Sequence, residues 1–163
     1  MESMTRPLTS EDADELSALL IENREFLARV EPARDERFFT IAGQRERIEG
    51  DALSFAILAG NRIAGTVTLS NIVRGPFQSA TLGYWVAERL GGRGLATQAV
   101  QEVVAIAFEE LRLHRLQAAT LIDNVASQRV LEKNGFEPIG LARRYLRIAG
   151  DWRDHLLFQR TAD

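Results

Sequence analysis

The 163-residue sequence contains no cysteine. That excludes a disulfide framework, a thiolate metal site and a cysteine nucleophile together. Histidine is nearly as scarce, with only His114 and His155. Both are isolated, without Asp, Glu or His partners at ligand spacing, so no metal site is expected. Basic charge is not in excess. Lys and Arg number 20 against 23 Asp and Glu, a net charge of −3, which argues against a general nucleic-acid binder. No apolar run approaches the ~20 residues needed to span a bilayer. The first residues, MESMTRPLTSEDADEL, are polar and acidic, where a secretory leader is basic and then apolar. A cytoplasmic protein with neither membrane nor nucleic-acid partner is the expectation. No repeat, low-complexity tract or Pro/Gly/Ser linker interrupts the chain, so residues 1–163 read as a single domain.

What is present is ample material for a core, with 45% hydrophobic residues. Thr9-Ser10-Glu11-Asp12 opens a helix, with Ser10 the expected cap. Leu16, Leu19, Leu20 and Phe26-Leu27 keep helical spacing until Glu31-Pro32 breaks it. A second helix is predicted over Arg37–Ile48. The pattern then changes to period two. Leu53–Leu58 and Ile63–Ile72 form a hairpin about Gly60-Asn61, and Gly75-Pro76 turns the chain into a strand over Thr81–Ala87. A helix over Leu95–Leu111 follows, with Ala96, Ala99, Val100, Val103, Val104 and Ala107 facing inward. Then come a strand over Arg115–Leu121, a helix capped by Asn124 and closed by Asn134-Gly135, and strands over Gly140–Ile148 and Trp152–Gln159. This order predicts a mixed α/β, or α+β, layer with helices packed on a sheet.

Two segments carry chemistry. The first is Gly91-Gly92-Arg93-Gly94, between a strand and a long helix. Glycines there let backbone N–H groups close on an anion, and the positive end of the helix dipole favours it. The string is neither a Walker loop nor a full dinucleotide fingerprint. Taken alone, it is also compatible with a plain tight connection. The second segment is Asn124–Phe136, NVASQRVLEKNGF. Asn124 and Ser127 share one face of a helix's first turn, and Arg129 and Lys133 lie four apart on a face that could meet phosphates. Taken alone, these residues also read as a cap and a solvated surface.

Together the two segments resemble the GNAT acetyltransferases. The family's coenzyme turn, [Q/R]-x-x-G-x-[G/A], falls on Gly91 to Ala96, with Gly91 where Gln or Arg is usual, and Asn-x-x-Ser…Asn-Gly-Phe matches as well. Within the family the chain is most similar to the RimJ/RimL ribosomal-protein branch, nearer RimJ. That likeness rests on Asn23-Arg24…Phe26-Leu27…Glu31-Pro32, SNIVRGPFQSATLGYW, LHRLQA and YLRIAGDWRDH. The resemblance implies a mixed, mostly antiparallel sheet of about six to seven strands flanked by four helices, opened by a short strand near Thr5–Leu8.

The implied reaction is acetyl transfer from acetyl-CoA, a cosubstrate, to a primary amine by direct attack in a ternary complex. The strand from Tyr84 would splay from its neighbour, so that the backbone of Trp85, Val86 and Ala87 pairs with the pantetheine arm. The N–H near Val86 would meet the thioester oxygen. The amides of Gly91, Gly92, Arg93, Gly94, Leu95, Ala96 and Thr97 would hold the diphosphate, with Arg129 and Lys133 beside it. Asn124 would contact the pantetheine, and Ser127 would act as acid for the departing thiolate. The family's usual glutamate base aligns with Leu146, so Glu31, Tyr84 and Tyr145 are the candidate helpers. Asn71 and Arg74 are expected to form the acceptor pocket with the Glu31–Pro32 loop, or else to stabilise their own loop. Trp85 and Trp152 are expected in the core or at an interface, and His155 in a structural hydrogen bond with Asp154 or a neighbour.

Loss of a strong base suits one acceptor class. An α-amine titrates at about 7.7–8.0, so deprotonation near pH 7 costs about 1 kcal/mol, against roughly 4–5 kcal/mol for a lysine at about 10.4. A protein N-terminus is the expected acceptor. A polyamine, an aminoglycoside or an amino acid is the alternative, and a catalytically silent CoA-binding module is a third reading. A monomer and a homodimer are equally compatible with the sequence.

Overall fold

The computed structural model describes residues 2–163. Seven strands form one sheet in the order β1-β2-β3-β4-β5-β7-β6. They are β1 (Thr5–Pro7), β2 (Leu53–Ala59), β3 (Arg62–Val73), β4 (Ser79–Val86), β5 (Arg115–Leu121), β6 (Glu137–Ile148) and β7 (Asp151–Thr161). Every neighbouring pair is antiparallel except β4 and β5, which are parallel. That exception follows from connectivity, because a helical crossover returns the chain from the end of β4 to the start of β5, so both strands run the same way.

Five α-helices cover the sheet: α1 (Ala13–Glu22), α2 (Arg24–Ala28), α3 (Ile41–Ile48), α4 (Leu95–Ala105) and α5 (Val125–Lys133). The fifth arises because buried Asn23 divides the predicted first helix. Its Nδ2 donates to Leu19 O at 2.9 Å, and its Oδ1 accepts from the Glu88 N–H at 2.9 Å. Asn23 thus pins the α1–α2 joint to the loop that leaves β4. Thr9, not Ser10, precedes the first helical turn, and its N–H is accepted by Asp12 Oδ2 at 2.9 Å. The helix expected over Arg37–Ile48 is two pieces. A 3₁₀ turn covers Glu36–Phe39, and Thr40, extended at φ −96°, ψ 157°, caps α3 by accepting from the Gly43 N–H. α4 runs on through a wider π turn over Ile106–Glu110.

The core lies between the sheet and α4. Ala99, Val100, Val103 and Val104 of α4 are buried, and Ile57, Val67, Leu69, Leu116 and Phe158 meet them from the strands. Each such Val, Ile, Leu or Phe side chain contributes about 1.5–3 kcal/mol by leaving water. This packing fixes α4 along the sheet, with its N-terminus beside the end of β4. Trp85 is half-buried against the core, whereas Trp152 is 55% exposed and so is not a core residue, the first of the two places expected for it. It stands on β7 beside the β6–β7 turn, where the sheet's far edge projects from the core.

Candidate active site

The sheet opens where β4 and β5 part. Their ladder holds only Ser79–Arg115, Ala80–Leu116 and Thr81–Gln117. β4 continues along β3 as far as Val86, and β5 continues along β7 as far as Leu121. A wedge therefore separates the ends of the two strands. Backbone direction in β4 follows from its contacts with β3. The Ala87 N–H donates to Ala64 O at 2.8 Å, and a Cβ placed on Gly65 would collide with Trp85 O. Trp85 and Ala87 thus point their main-chain groups at β3. By strand alternation, Tyr84 and Val86 point theirs into the opening.

The glycine turn sits at the head of this wedge. Gly92 and Gly94 have φ of 76° and 78°, a left-handed conformation that favours glycine. Gly94 is the N-cap of α4 and offers no side chain to its first amides. The first N–H groups of a helix have no intrahelical partners. A Cβ on either glycine would project into open space. Unpartnered amides, open space and the positive helix end together fit a diphosphate. The side chains of Arg93, Arg129 and Lys133 are exposed.

α5 supplies the polar wall. Asn124 caps it, accepting from the Ser127 N–H at 3.2 Å, and Gln128 Nε2 donates to Leu121 O and Ile122 O. The helix is thereby fixed over the end of β5. Tyr84 reaches across from β4, its hydroxyl 2.7 Å from Ser127 Oγ and 3.0 Å from Ser127 O. Burial pushes the Tyr84 phenol up to about 12, offset in part by its bond with Ser127. It is therefore a neutral hydroxyl at neutral pH, able to donate to Ser127 and unable to act as a base there.

Asn134 is a residue whose role exceeds the C-terminal cap read from the sequence. It is buried, and its Nδ2 donates to Thr97 O at 3.1 Å and Val130 O at 2.9 Å, while its carbonyl accepts from Arg160 at 2.7 Å. It ties the end of α5 to the first turn of α4, and so joins the glycine turn to the helix that carries Ser127. Its place in the Asn-Gly-Phe string was the available signal.

The other expected residues lie apart from this cluster. Glu31 stands next to Pro32, which bridges to Ile148 at the end of β6. Burial raises the Glu31 carboxyl above the ordinary range, and Arg34 and Arg47 partly oppose that rise. A cavity of about 180 Å³ lies against Leu27, Glu31, Pro32 and Phe38. Tyr145 is 40% exposed on β6, tilted against the His155 ring at 5.4 Å. Leu146 pairs with Arg153 of β7. His155 bonds the Arg153 carbonyl at 3.0 Å, and Asp154 instead accepts from the Arg144 N–H. Arg74 is not brought to the Glu31–Pro32 loop. It donates to Leu111 O at 2.6 Å and Gln78 Oε1 at 3.2 Å, beyond the C-terminal end of α4, whereas the glycine turn is at the N-terminal end. Asn71 is exposed in a β-bulge at φ 49°, near the start of β4. The structure gives Arg74 the loop-stabilising role that was its alternative reading.

Residues 4–137 match the family model described as an acetyltransferase (GNAT) domain. The chain is 40% identical over 160 residues to the probable N-acetyltransferase YjcK of Bacillus subtilis strain 168, covering 92% of this chain and 88% of that protein. Its fold superimposes on the ribosomal-protein-S5-alanine acetyltransferase of Vibrio fischeri with a TM-score of 0.93, at 34% identity, covering 98% of this chain and 92% of the other. It also superimposes on RimJ of Mycobacterium smegmatis, solved in complex with CoA-disulfide, with a TM-score of 0.89, at 32% identity, covering 97% and 81%.

Proposed function

The chain belongs to the GNAT acetyltransferase family, and from that premise we propose that it acetylates the N-terminal α-amine of a protein, with acetyl-CoA as donor. Acetyl-CoA supplies a thioester carbon open to attack by an amine. The amides from Gly92 to Thr97 hold its diphosphate, with Arg93, Arg129 and Lys133 at the rim. Tyr84 and Val86 turn their main-chain groups to the pantetheine path, whereas Trp85 and Ala87, expected beside them, are held to β3. The Val86 N–H, directed into the opening, meets the thioester oxygen as charge develops on it. Asn124 spends its Oδ1 on the Ser127 amide, which leaves Nδ2 for the pantetheine. The Tyr84 hydroxyl lies 2.7 Å from Ser127 Oγ, and when its single proton turns to that oxygen the Ser127 proton is free for the departing sulfur.

The single observation that carries this reading is the β4–β5 wedge, with its inward-facing amides in line with the glycine turn. The acceptor assignment draws on two further supports. One similar structure is a ribosomal-protein-S5-alanine acetyltransferase. The position of the family's glutamate holds Leu146, which suits an amine that loses its proton near neutral pH. Glu31, whose carboxyl burial has raised, takes the ammonium or its proton at the α2–α3 loop, with Tyr145 on the facing hairpin. Asn71, near the start of β4 and away from the opening at its other end, has no part in this reading. A newly made protein as acceptor would place the reaction in the cytoplasm.

Thiol release from acetyl-CoA tests the assignment. An alanine-initiated peptide with a free N-terminus is compared with the same peptide N-terminally blocked and carrying an internal lysine, and with spermidine, an aminoglycoside and free alanine. Release with the free terminus alone is expected. Faster release with a small amine would reassign the acceptor. CoA binding without turnover on any amine would make the chain a silent binding module.

A further inference from the structure

We propose that Thr120 is a further catalytic residue, its hydroxyl donating a hydrogen bond to the coenzyme sulfur inside the β4–β5 opening. The inference rests on the reading above that the coenzyme lies in this opening. Thr120 is on β5 and 4% exposed, and its Oγ1 has no hydrogen-bond partner within the protein. Among the described residues it is the one fully buried side-chain polar atom left in that condition. A buried hydroxyl without a partner is unfavourable, and native interiors rarely keep one unless another group completes it.

Register says where this hydroxyl points. Leu116 is paired with Ala80 across the parallel ladder, so the two share a face. Counting four residues along each strand reaches Thr120 and Tyr84, both past the last pair, Thr81–Gln117. Side chains alternate along a strand, so Thr120 stays on the face of Leu116 and Ala118, and Tyr84 on that of Ala80 and Leu82. That is the face covered by α5, because the Tyr84 hydroxyl meets Ser127 there. Thr120 and Tyr84 therefore stand on the two walls of one opening, with Ser127 above them. As the amine attacks, the carbon–nitrogen bond forms, the carbon–sulfur bond breaks and its electron pair settles on sulfur. The nitrogen gives up one proton to Glu31 or water, Ser127 passes its own proton to the sulfur, and Ser127 recovers a proton from solvent, so the hydroxyl is restored. Thr120 gives a second donor to the same developing charge and keeps its own proton.

The test exploits the missing cysteine. Thr120→Cys gives the chain its only thiol. Incubated with CoA disulfide, that thiolate attacks one sulfur, forms a mixed disulfide and releases one CoA thiol. Intact-mass spectrometry is expected to find one CoA added, with a rate that saturates in CoA disulfide and is suppressed by excess acetyl-CoA. Ala119→Cys, on the exposed opposite face, is expected to show neither saturation nor protection. Thr120→Val keeps the shape and removes the donor. It is expected to lower kcat about tenfold with acetyl-CoA affinity unchanged, and Thr120→Ser to recover most of the loss. Its Tm should hold or rise, because no hydrogen bond within the protein is lost, so the fall in kcat is not a folding defect. Unprotected labelling of Thr120→Cys, or a Thr120→Val variant with unchanged kcat, overturns the proposal. Calorimetry on the wild-type chain separates two failures. Absence of acetyl-CoA binding there overturns the coenzyme reading and this inference with it. Intact binding with Thr120→Cys unlabelled overturns this inference alone.

Discussion

The proposed coenzyme and acceptor regions are built from different materials. The coenzyme side is mostly main chain: the Gly92 and Gly94 turn, the first amides of α4, and the β4 edge at Tyr84 and Val86. The proposed acceptor region is mostly side chain: Glu31, Tyr145 and the arginines around a loop that touches the sheet through the Pro32–Ile148 bridge. A backbone site demands only that the chain follow a path, and few residue types can follow a left-handed turn. A side-chain site can be rebuilt at the tip of each loop while the fold stays constant. The difference predicts a family with a constant donor and variable acceptors.

The largest effect should come from attacking the backbone side. Gly94→Val puts a branched side chain where the diphosphate is read to lie. Charge-assisted bonds to backbone N–H groups are worth about 1.5–3 kcal/mol each, so loss of one or two should weaken acetyl-CoA binding about 100-fold by calorimetry. Strain at φ 78° is a separate cost. Gly60→Val, at φ 64° in an equally open hairpin turn, carries the strain alone, so it should lower Tm to a similar degree and leave affinity intact. Equal affinity in Gly94→Val and wild type would remove the asymmetry at its root.

Next in size is Ser127→Ala. It should lower kcat about 30-fold and leave acetyl-CoA affinity nearly unchanged, because the hydroxyl acts on the departing sulfur. A loss of affinity with turnover preserved would move Ser127 from chemistry to binding.

Glu31→Gln probes the acceptor side. The variant should lose about tenfold in kcat/KM for the peptide, mostly through KM, with acetyl-CoA affinity untouched. Stability should move the other way. The folded state holds the Glu31 carboxyl above its ordinary value, so it binds a proton more tightly than the unfolded chain. Stability is therefore lost as pH rises through that window. Removing the charge should leave Tm at pH 7 equal or higher, with the difference vanishing at a pH low enough to protonate the carboxyl in both states. A lower Tm at pH 7 would identify Glu31 as an ordinary stabilising ion.

The smallest effect should come from Arg74→Ala. With its guanidinium committed to Leu111 O and Gln78, the change should stay within about twofold in peptide KM and show itself in Tm. A large KM effect would extend the acceptor surface along β3 and blur the contrast.

The same division explains what the sequence disclosed. The glycine spacing, the period-two strands and the apolar stripe of α4 are backbone information, and the strands, the turn and the α5 cap lie where the pattern puts them. Misplaced features depended on tertiary partners. Asn23 is unremarkable in a helical pattern until the Glu88 amide needs an acceptor, and that contact splits the helix. Thr40 caps α3 inside a stretch whose periodicity alone reads as one continuous helix. Arg74 sits in the loop between β3 and β4, and only the fold reveals that Leu111 claims it. Thr120 is invisible as a candidate in an ordinary strand sequence. Its interest comes from a buried hydroxyl left without a partner where two strands diverge.

A crystal structure of the chain with CoA bound tests the central claim most directly. The account predicts density for the diphosphate on the amides from Gly92 to Thr97, the pantetheine alongside Val86, and sulfur within hydrogen-bond reach of Ser127. Coenzyme density elsewhere on the molecule, with the β4–β5 wedge left to solvent, would contradict it.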